Sequence, residues 1–501
     1  LFTMSYTGVR GGLVVGVADD PGMHSSQNEQ DTRHHAIASK IPVLEPSDSQ
    51  ETLEFVKIAF DISERFDTPV IVKMCTRISH SQSVVDTSER EERETIPYVK
   101  DPAKYVMVPA NAKIRHPFVE ERTKKLAEWG NTSGINRVEK AADPECKRGF
   151  ITGSTSYQYI KEVFGDSVSV LKLGMPYPFP DELIKEFAKD LDDITVAEEM
   201  DPIVEEHCKA LGINVHGKDL LPMVGEYSQN LIAKVLAGQE VDEESKCDIE
   251  TPVRPPIMCP GCPHRGIFYT LKRNKCIVIG DIGCYTLAAA EPLASMDMTL
   301  CMGASVSATH GFLKALGEDA PKNVVGVIGD STFIHSGMTG LAEIAYNQSN
   351  ATIVILDNST TGMTGQQENP TTGYNIKGDP AGKIDLEALV KAMGIRRVRV
   401  VDPLDLKACN AVVKEELAAD EPSVIITRRP CVLLKSVKKL PALRVNPDKC
   451  TGCGACMKIG CPALAMKDGK VVVDETLCVG SGCNLCTQMC GFGAFEYPGE
   501  E

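Results

Sequence analysis

Residues 324–364 read VVGVIGDSTFIHSGMTGLAEIAYNQSNATIVILDNSTTGMT. The apolar, β-branched runs at 324–328 and 352–356 predict two buried strands, and the spacing of apolar residues over 338–347 predicts a helix between them. A strand, a helix and a second strand in this order form one unit of a parallel sheet. The stretch therefore predicts an α/β fold with flanking helices.

Polar residues follow both predicted strands. Gly329 and Asp330 come directly after the first strand, and Asn358 follows the second. Because parallel sheets bind ligands at the carboxyl ends of their strands, we expect Asp330 and Asn358 to face one crevice. Carboxylate and amide oxygens suit a hard cation such as Mg2+, and a glycine lets backbone amides approach phosphate oxygens. The alternative is that the Gly-Asp pair is only a turn that caps a helix.

This spacing resembles the thiamine diphosphate signature, in which Gly-Asp-Gly is followed, after a helix, by Asn. The resemblance implies that Asp330, the Asn358 side chain and the Thr360 carbonyl bind Mg2+. Ser331 replaces the last glycine of the signature, which is tolerable when its side chain points away from the diphosphate. A second glycine turn after a predicted strand contains Gly283, which we also expect near the cofactor.

Length, charge and cysteine content limit the class of protein. The 501 residues, 43% of them hydrophobic, suffice for roughly three or four domains. A net charge of −16 argues against binding nucleic acid or anionic membranes by bulk attraction. No apolar run approaches the roughly 18 residues of a membrane span, and residues 1–12 do not resemble a signal peptide. Of 19 cysteines, eight lie within 450–501 at metal-ligand spacings, which indicates a reducing compartment, the cytoplasm.

The start of the chain predicts a strand and a polar loop. Residues 8–18 read as a glycine turn that leads into a buried strand, and such a strand needs neighbours. We therefore expect the chain to begin inside a domain whose first part is missing. The following loop, 19–31, contains His24 and Glu29 where an open α/β sheet keeps its ligand. The alternative for this loop is a solvated connection.

A Cys-Pro-Gly-Cys segment opens the third predicted domain. Its Cys259 and Cys262 are joined later in the chain by Cys284, after a glycine turn, and by Cys431, after the last predicted strand. In a doubly wound sheet the four thiolates could converge and hold an iron–sulfur cluster beside the diphosphate, in addition to the two clusters of the last domain described next. The alternatives are a zinc or redox pair at the Cys-x-x-Cys, with isolated buried thiols elsewhere. His264 is a candidate pocket residue, or else a structural histidine.

Two runs of cysteines near the end of the chain have the spacing of ferredoxin ligands. In two-cluster ferredoxins the fourth cysteine of each run binds the other cluster. The pairing therefore predicts one cluster at Cys450, Cys453, Cys456 and Cys490, and another at Cys461, Cys478, Cys483 and Cys486. Zinc is the alternative, although eight thiolates without histidine favour iron–sulfur.

A thiamine site and clusters on one polypeptide narrow the chemistry. Thiamine attacks a 2-oxo acid and leaves an electron-rich adduct after CO2 is lost. Clusters nearby indicate that this adduct is oxidised one electron at a time, with coenzyme A as the usual acyl acceptor. The combination predicts a 2-oxoacid:ferredoxin oxidoreductase.

The chain resembles the large (alpha) subunits of the indolepyruvate:ferredoxin oxidoreductase family. The strings that carry the resemblance are TGVRGGLVVGVADDPGMHSSQNEQDTR, MCPGCPHRG, GDIGCYTL, MGASVSATHGF, GDSTFIHSG and LDNSTTGMTGQQENP, followed by the cysteine runs. The family implies aryl 2-oxo acids as substrates, coenzyme A as co-substrate, a smaller beta subunit in a heterodimer or heterotetramer, and ferredoxin as electron acceptor.

The resemblance and the changes in composition predict six segments. They are the remainder of a pyrimidine-binding thiamine domain (1–85), a charged linker or excursion (86–147), a transketolase-C-terminal-like α/β domain (148–240), a linker (241–256), a diphosphate-binding thiamine domain (257–432) and a two-cluster ferredoxin domain (433–501).

Thiamine enzymes use a Glu of the pyrimidine-binding domain to activate the cofactor. The resemblance implies that this Glu lies upstream of residue 1, and Glu29 comes too late in the fold to replace it easily. We therefore expect the 501-residue chain alone to bind Mg2+ and clusters but to turn over poorly.

Three other functions stay open at this point. The chain is compatible with an oxidoreductase for another 2-oxo acid and with a non-redox thiamine decarboxylase, which would release aldehyde without coenzyme A. An electron-transfer subunit with a vestigial thiamine fold is the third, and the intact Asp330 and Asn358 argue against it.

Overall fold

The computed structural model describes residues 1–90, 92, 94–241 and 255–497. The chain divides into two compact units, Leu1–Ile249 and Glu250–Glu501. The division falls within the linker predicted at 241–256, most of which lies outside the described residues, as does Cys247. In the part of the chain that is described, no helix is long and apolar enough to cross a membrane.

The first unit contains two small sheets. Its strands are Val14–Asp19 (β1), Val43–Leu44 (β2), Val70–Cys75 (β3), Arg137–Glu139 (β4), Arg148–Gly153 (β5), Ser169–Leu173 (β6) and Asp193–Ala197 (β7). Its helices are Phe2–Thr7 (α1), Thr32–Ser39 (α2), Ser49–Phe66 (α3), Thr76–His80 (α4), Pro102–Tyr105 (α5), Pro109–Thr132 (α6), Ser154–Phe164 (α7), Asp181–Ala188 (α8), Ile203–Ala210 (α9) and Gln229–Leu236 (α10). The strand orders are β1-β3-β2, all parallel, and β4-β6-β5-β7, in which only the β4–β6 pair is antiparallel.

Helix α6 differs from the expectation for residues 86–147, which pointed to a linker or excursion. It is 24 residues long and contains Pro117. Its apolar residues follow no clear helical stripe, which is why the sequence did not indicate it. It packs on the first sheet through the fully buried Leu126, while the Arg122 guanidinium donates to the carbonyl oxygens of Ser5 (2.9 Å) and Asp67 (2.7 Å).

The second unit is organised around a six-stranded parallel sheet. Its strands are Ile277–Gly280 (β8), Met298–Thr299 (β9), Val324–Gly329 (β10), Thr352–Asp357 (β11), Arg397–Val401 (β12) and Ser423–Arg428 (β13), in the order β12-β13-β11-β10-β8-β9. Its helices are His264–Arg273 (α11), Ala304–Leu316 (α12), Asp330–Thr332 (α13), Met338–Tyr346 (α14), Leu386–Ala392 (α15) and Leu406–Leu417 (α16), with a π-helical turn at Phe333–Gly337 and short 3-10 turns at Cys284–Ala289 and Gly317–Asp319. The strand, helix and strand predicted within 324–364 are confirmed as β10, α14 and β11.

Both faces of this sheet are buried, as the apolar runs in its strands require. The register pairs Val327 with Val354 and Ile328 with Ile355. The first pair packs on one side of the sheet with Phe268 of α11, and the second pair packs on the other side. Burying one such side chain contributes about 1.5–3 kcal/mol to folding, so the strands are held between two helix layers.

The ferredoxin-like part completes the second unit. Its strands are Arg444–Val445 (β14), Leu464–Lys467 (β15), Lys470–Val473 (β16) and Phe495–Glu496 (β17), with helix Leu485–Met489 (α17) and 3-10 turns at Ala455–Ile459 and Gly480–Gly482. The strands form two antiparallel pairs, β14 with β17 and β15 with β16. Helix α11 packs against the loop before α16 and against this part, since a Cβ atom added to Gly266 would lie 1.7 Å from the Pro403 carbonyl oxygen of that loop and 3.3 Å from Leu485.

We predict that Gly266→Ala destabilises the second unit, because the added methyl group collides with backbone that has no side-chain freedom to yield. Overpacking of this kind costs about 1–3 kcal/mol, and a collision with a carbonyl belongs at the upper end. Differential scanning calorimetry would show a lower unfolding temperature.

The matched control is Gly311→Ala in the middle of α12, where no atom lies within 4 Å of the added Cβ. Helix propensity alone predicts an unchanged or slightly higher unfolding temperature there. Equal changes in unfolding temperature for the two variants would contradict the close contact between α11 and Pro403.

Candidate active site

The candidate residues of the second unit lie at one edge of the six-stranded sheet. Strands β8, β10, β11 and β13 are neighbours in the sheet and all run parallel. Cys284 follows β8, Asp330 follows β10, Asn358 follows β11 and Cys431 follows β13. Parallel strands end at the same edge, so residues spread over about a third of the chain come together at a typical ligand-binding position.

Asp330 is buried, with 2% of its surface exposed, at the start of the helical segment that follows β10. Its Oδ1 accepts a hydrogen bond from the Ser331 amide (2.7 Å) and its Oδ2 from the Ser359 amide (3.1 Å). Ser359 has a left-handed backbone with φ of 59°, which is uncommon outside glycine and frequent at functional sites. The π-helical turn just after Asp330 is also typical of such sites.

The charge of Asp330 has no counter-ion among the residues that the structure describes. Burial raises the pKa of its carboxyl to about 7, and Asp357 adds to the rise. Among the described residues, no lysine, arginine or histidine lies within ion-pair distance of it, whereas Asp357 is paired with Arg428 at 2.8 Å. A buried carboxylate without a cation is costly, so the site fits a bound metal ion that supplies the missing charge.

Asn358 and Thr360 border the same site. Asn358 is buried, its Oδ1 accepts a long hydrogen bond from the Thr360 amide (3.3 Å), and its Nδ2 lies 3.5 Å from His264 Nε2. His264 begins helix α11, and burial lowers its pKa to about 4. The imidazole is therefore neutral at pH 7 and can neither attract nor repel an ion by charge.

Tyr285 is a residue that the sequence analysis did not select. Its hydroxyl accepts a hydrogen bond from the Gly329 amide (3.0 Å), and its ring packs edge-on against His264, with centroids 5.8 Å apart. A Cβ atom on Gly283 would lie 2.4 Å from the Tyr285 ring, and one on Gly329 would lie 3.2 Å from it. The two predicted cofactor glycines are thus needed to accommodate Tyr285, and that aromatic residue stands in the quoted string GDIGCYTL.

Asn369 is a second residue that the sequence analysis passed over. It is buried, and its Oδ1 accepts hydrogen bonds from the amide (2.9 Å) and hydroxyl (2.7 Å) of Thr371. Its amide lies beside Asp330, and this contact lowers the pKa of that carboxyl. Because Nδ2 makes no hydrogen bond of good geometry with the described residues, it could donate to a further oxygen acceptor at this site.

The structure brings the four cysteines of the predicted third cluster together. Burial raises the pKa of the Cys284 thiol, and the thiols of Cys431 and Cys259 raise it further. Burial also raises the pKa of Cys262 to about 12, with Cys259 and Cys431 again adding to the rise. The Cys431 amide donates to the Asn358 carbonyl (2.9 Å), which places this set directly beside the candidate metal site.

The cysteines of the ferredoxin-like part form the two predicted groups. Burial raises the pKa of Cys456, and the neighbouring thiols of Cys490, Cys453 and Cys450 add to this rise. Burial raises the pKa of Cys483 to about 11, with contributions from Cys461 and Cys478, and the same three thiols act on Cys486. The fourth cysteine of each run therefore lies with the other run, as two-cluster ferredoxins require.

No three His, Cys, Asp or Glu side chains in the described ranges are arranged as a ready site for a single metal ion. This agrees with the two kinds of site above. A cluster places iron and sulfide between its thiolates, which therefore stand farther apart than ligands of one ion, and the candidate Mg2+ site contains only one carboxylate.

His24 and Glu29 lie in the first unit, in the loop between β1 and α2. His24 Nε2 is 2.9 Å from Glu226, which also pairs with Arg77. Glu29 accepts a hydrogen bond from the Gly22 amide of its own loop (2.8 Å) and is exposed. Both side chains interact with partners that stabilise the loop. Both are also exposed, whereas an activating acid or base would need burial.

Comparison with known sequences defines the class. Residues 281–427 match the C-terminal TPP binding domain of thiamine pyrophosphate enzymes, and residues 443–465 match the 4Fe-4S binding domain. The fold and these matches define a thiamine-dependent enzyme with an attached iron–sulfur domain, which confirms the predicted class and its thiamine diphosphate and iron–sulfur cofactors.

Relatives identify the family within this class. Indolepyruvate oxidoreductase subunit IorA of Pyrococcus horikoshii is 41% identical over 543 aligned positions, which cover 99% of this chain and 83% of that protein. The same subunit of Thermococcus kodakarensis is 41% identical over 98% of this chain and 82% of its own. The chain belongs to the indolepyruvate oxidoreductase subunit IorA family. A 2-oxoglutarate:ferredoxin oxidoreductase from Magnetococcus marinus matches 37% of this chain and 67% of its own at 21% identity, but its TM-score of 0.32 is too low to support an argument.

We predict that Asp330→Asn removes the gain in thermal stability that Mg2+ and thiamine diphosphate give to the parent protein. Loss of the Asp330 carboxylate should weaken Mg2+-dependent cofactor binding by about 100-fold or more, since even indirect partners of metal ligands are worth about 10–100-fold. Without Mg2+, the variant should be at least as stable as the parent, because it no longer buries an unpaired charge.

The control is Asp281→Asn. Asp281 is also buried, but its carboxylate accepts hydrogen bonds from the amides of Ile282 and Gly303 (2.7 Å each) and from the Ser305 hydroxyl (3.0 Å). We expect this variant to lose stability with and without Mg2+. A loss of metal-free stability in the Asp330 variant would contradict a metal-binding role.

Proposed function

We propose that the chain belongs to the thiamine-binding subunit of an enzyme that catalyses the oxidative decarboxylation of aryl 2-oxo acids such as indolepyruvate. The products are CO2 and the aryl-acetyl thioester of coenzyme A, and two electrons pass one at a time through iron–sulfur clusters to ferredoxin. The observation that supports it most is the position of the Cys259, Cys262, Cys284 and Cys431 thiols beside Asp330 and Asn358. An electron acceptor next to a thiamine site is of use to an oxidoreductase and of none to a simple decarboxylase.

Different residues of the chain would bind the Mg2+ ion and the diphosphate of the thiamine cofactor. We assign the Asp330 carboxylate, the Asn358 amide oxygen and the Thr360 carbonyl to Mg2+, and the Gly329 and Ser331 region to the diphosphate. When bound, thiamine diphosphate would supply a nucleophilic carbon that adds to the 2-oxo group and a cationic ring that takes up the electron pair left by CO2.

Neutral His264 can donate or accept a hydrogen bond but carries no charge, so it would orient the Asn358 amide or a substrate oxygen and not pair with a carboxylate. We assign no catalytic acid or base to His24 or Glu29.

The cysteine sets are assigned as three cluster sites. Cys450, Cys453, Cys456 and Cys490 hold one cluster, and Cys461, Cys478, Cys483 and Cys486 hold the second. The third site consists of Cys259, Cys262, Cys284 and Cys431. Burial raises the pKa of at least one thiol in each set, namely Cys456 in the first, Cys483 and Cys486 in the second, and Cys262, Cys284 and Cys431 in the third, and iron binding would stabilise their thiolate forms.

The assembly and the substrate are further parts of the proposal. The relatives are named as subunits, which supports a partner subunit. Its smaller size, its assembly in a heterodimer or heterotetramer, and ferredoxin as a separate acceptor rest on the family resemblance. The preference for aryl acids rests on the names of the same relatives. The free cysteines support a reducing compartment such as the cytoplasm.

We predict about twelve iron atoms per chain after anaerobic reconstitution, four for each of three clusters. Cys284→Ser should lower the content to about eight, since only the third cluster loses a ligand. Cys276→Ser is the control, because the Cys276 thiol is half-buried at the start of β8 and belongs to none of the three sets. About eight iron atoms in the parent protein would exclude the third cluster and leave the other two.

The assay of the proposed function uses the native complex of this subunit with its partner subunit, purified from its source under anaerobic conditions. We expect viologen reduction in the presence of thiamine diphosphate, Mg2+ and coenzyme A with indolepyruvate and phenylpyruvate, and little with pyruvate or 2-oxoglutarate. Reduction with all four acids would argue against aryl specificity. Release of aldehyde without need for coenzyme A, in protein with intact clusters, would favour the non-redox decarboxylase.

A further inference from the structure

Arg265 joins the Cys-Pro-Gly-Cys segment to the ferredoxin-like part. It is the second residue of α11 and has 2% of its surface exposed. Its guanidinium donates to the Met258 and Cys259 carbonyls on one side. On the other side it donates to the carbonyls of Ile459 (3.2 Å) and Gly460, which directly precede Cys461.

The positive charge of Arg265 is not neutralised by a carboxylate. In the described ranges of the chain, no Asp or Glu lies within ion-pair distance of its guanidinium, and its acceptors are main-chain carbonyls. Arg33 of the first unit is equally buried but is paired with Asp31 (2.6 Å) and Glu198. Proteins rarely bury a charge without an opposite one, so Arg265 indicates an anion nearby.

Thiols are the groups around Arg265 that can become negative. The thiols that interact with the charge of Arg265 are, in decreasing order of effect, those of Cys461, Cys262, Cys483 and Cys259. Two of these belong to the second ferredoxin set and two to the set beside the candidate Mg2+ site. Thiolates bound to iron are negative, so clusters in these two sets would supply the missing anion.

We propose that Arg265 is a positioning residue whose charge balances the clusters held by the Cys461 set and the Cys259 set and favours their reduced state. The proposal rests on the cluster sites of the proposed function. One-electron reduction adds one negative charge to a cluster, and the electron comes from the 2-oxo acid and leaves to ferredoxin. A fixed positive charge in an interior of low dielectric stabilises the more negative state and raises its reduction potential.

The test is an anaerobic redox titration of the reconstituted complex, followed by electron paramagnetic resonance. Arg265→Gln removes the charge and keeps a polar side chain, so at least one cluster potential should become more negative. Arg265→Lys keeps the charge and should leave the potentials close to those of the parent. If the shift in the Lys variant equals that in the Gln variant, hydrogen bonding and not charge sets the potential, and the proposal is wrong.

Arg429→Gln is the matched control. Arg429 also approaches the second ferredoxin set, since its Nη2 donates to the Gly482 carbonyl (2.8 Å) next to Cys483. Its side chain is 39% exposed and paired with Asp402 at 2.9 Å, so solvent screens its charge. We expect a clearly smaller shift than for Arg265→Gln. An equal shift would show that any arginine near the cysteines has the same effect, which would overturn the proposal.

Iron content separates the outcomes. If the parent protein binds no iron at these cysteines, the cluster sites of the proposed function fail before Arg265 is tested. If Arg265→Gln binds as much iron as the parent and its potentials do not change, only the role of Arg265 is refuted. If Gln prevents cluster assembly and Lys permits it, the charge requirement is supported, whereas failure of both variants overturns it in favour of a purely structural contact.

Discussion

The parallel pairing of β8, β10, β11 and β13 is the constraint on which the candidate active site depends. Each strand contributes one turn at the same edge of the sheet, and the backbone hydrogen bonds between strands set the distances between these turns. A slip of one residue in any pairing would turn side chains to the opposite face and separate Asp330 from Asn358. The apolar layers on both faces make such slips costly, so the core specifies the geometry of a polar site that itself contributes little to folding.

Asp330 and Arg265 are buried charges of the second unit that no ion pair with the described residues neutralises, and they have opposite signs. Asp330 lies at the thiamine side and lacks a cation, while Arg265 lies at the ferredoxin side and lacks an anion. Each costs stability in the protein alone. A metal cation suits the first and an anionic cluster suits the second, so the polypeptide and its cofactors complement each other in charge at both places. Asn369, whose Nδ2 makes only a loose contact with Asp330, adds a neutral donor at the thiamine side.

The sequence predicted the central elements well, because buried parallel strands are short, β-branched and ended by glycine. The positions of Asp330 and Asn358 followed from the order of those strands alone. Helix α6 was missed because its apolar residues do not form a regular stripe. Tyr285, Asn369 and Arg265 were missed for another reason. Their roles come from contacts between distant residues, such as Arg265 with Gly460, 195 positions apart, which no local pattern contains.

The first turn of α11 has consequences for how this protein can change in evolution. Three consecutive residues there serve three different neighbours: His264 faces Asn358, Arg265 bonds to the loop at Gly460, and Gly266 packs on the carbonyl of Pro403. An insertion of one residue would rotate all three by about 100° around the helix axis. The ferredoxin-like part is therefore not an exchangeable module. A foreign two-cluster domain joined at the same point would need its own carbonyls at the positions that Arg265 reaches, so the thiamine and ferredoxin parts must diverge together.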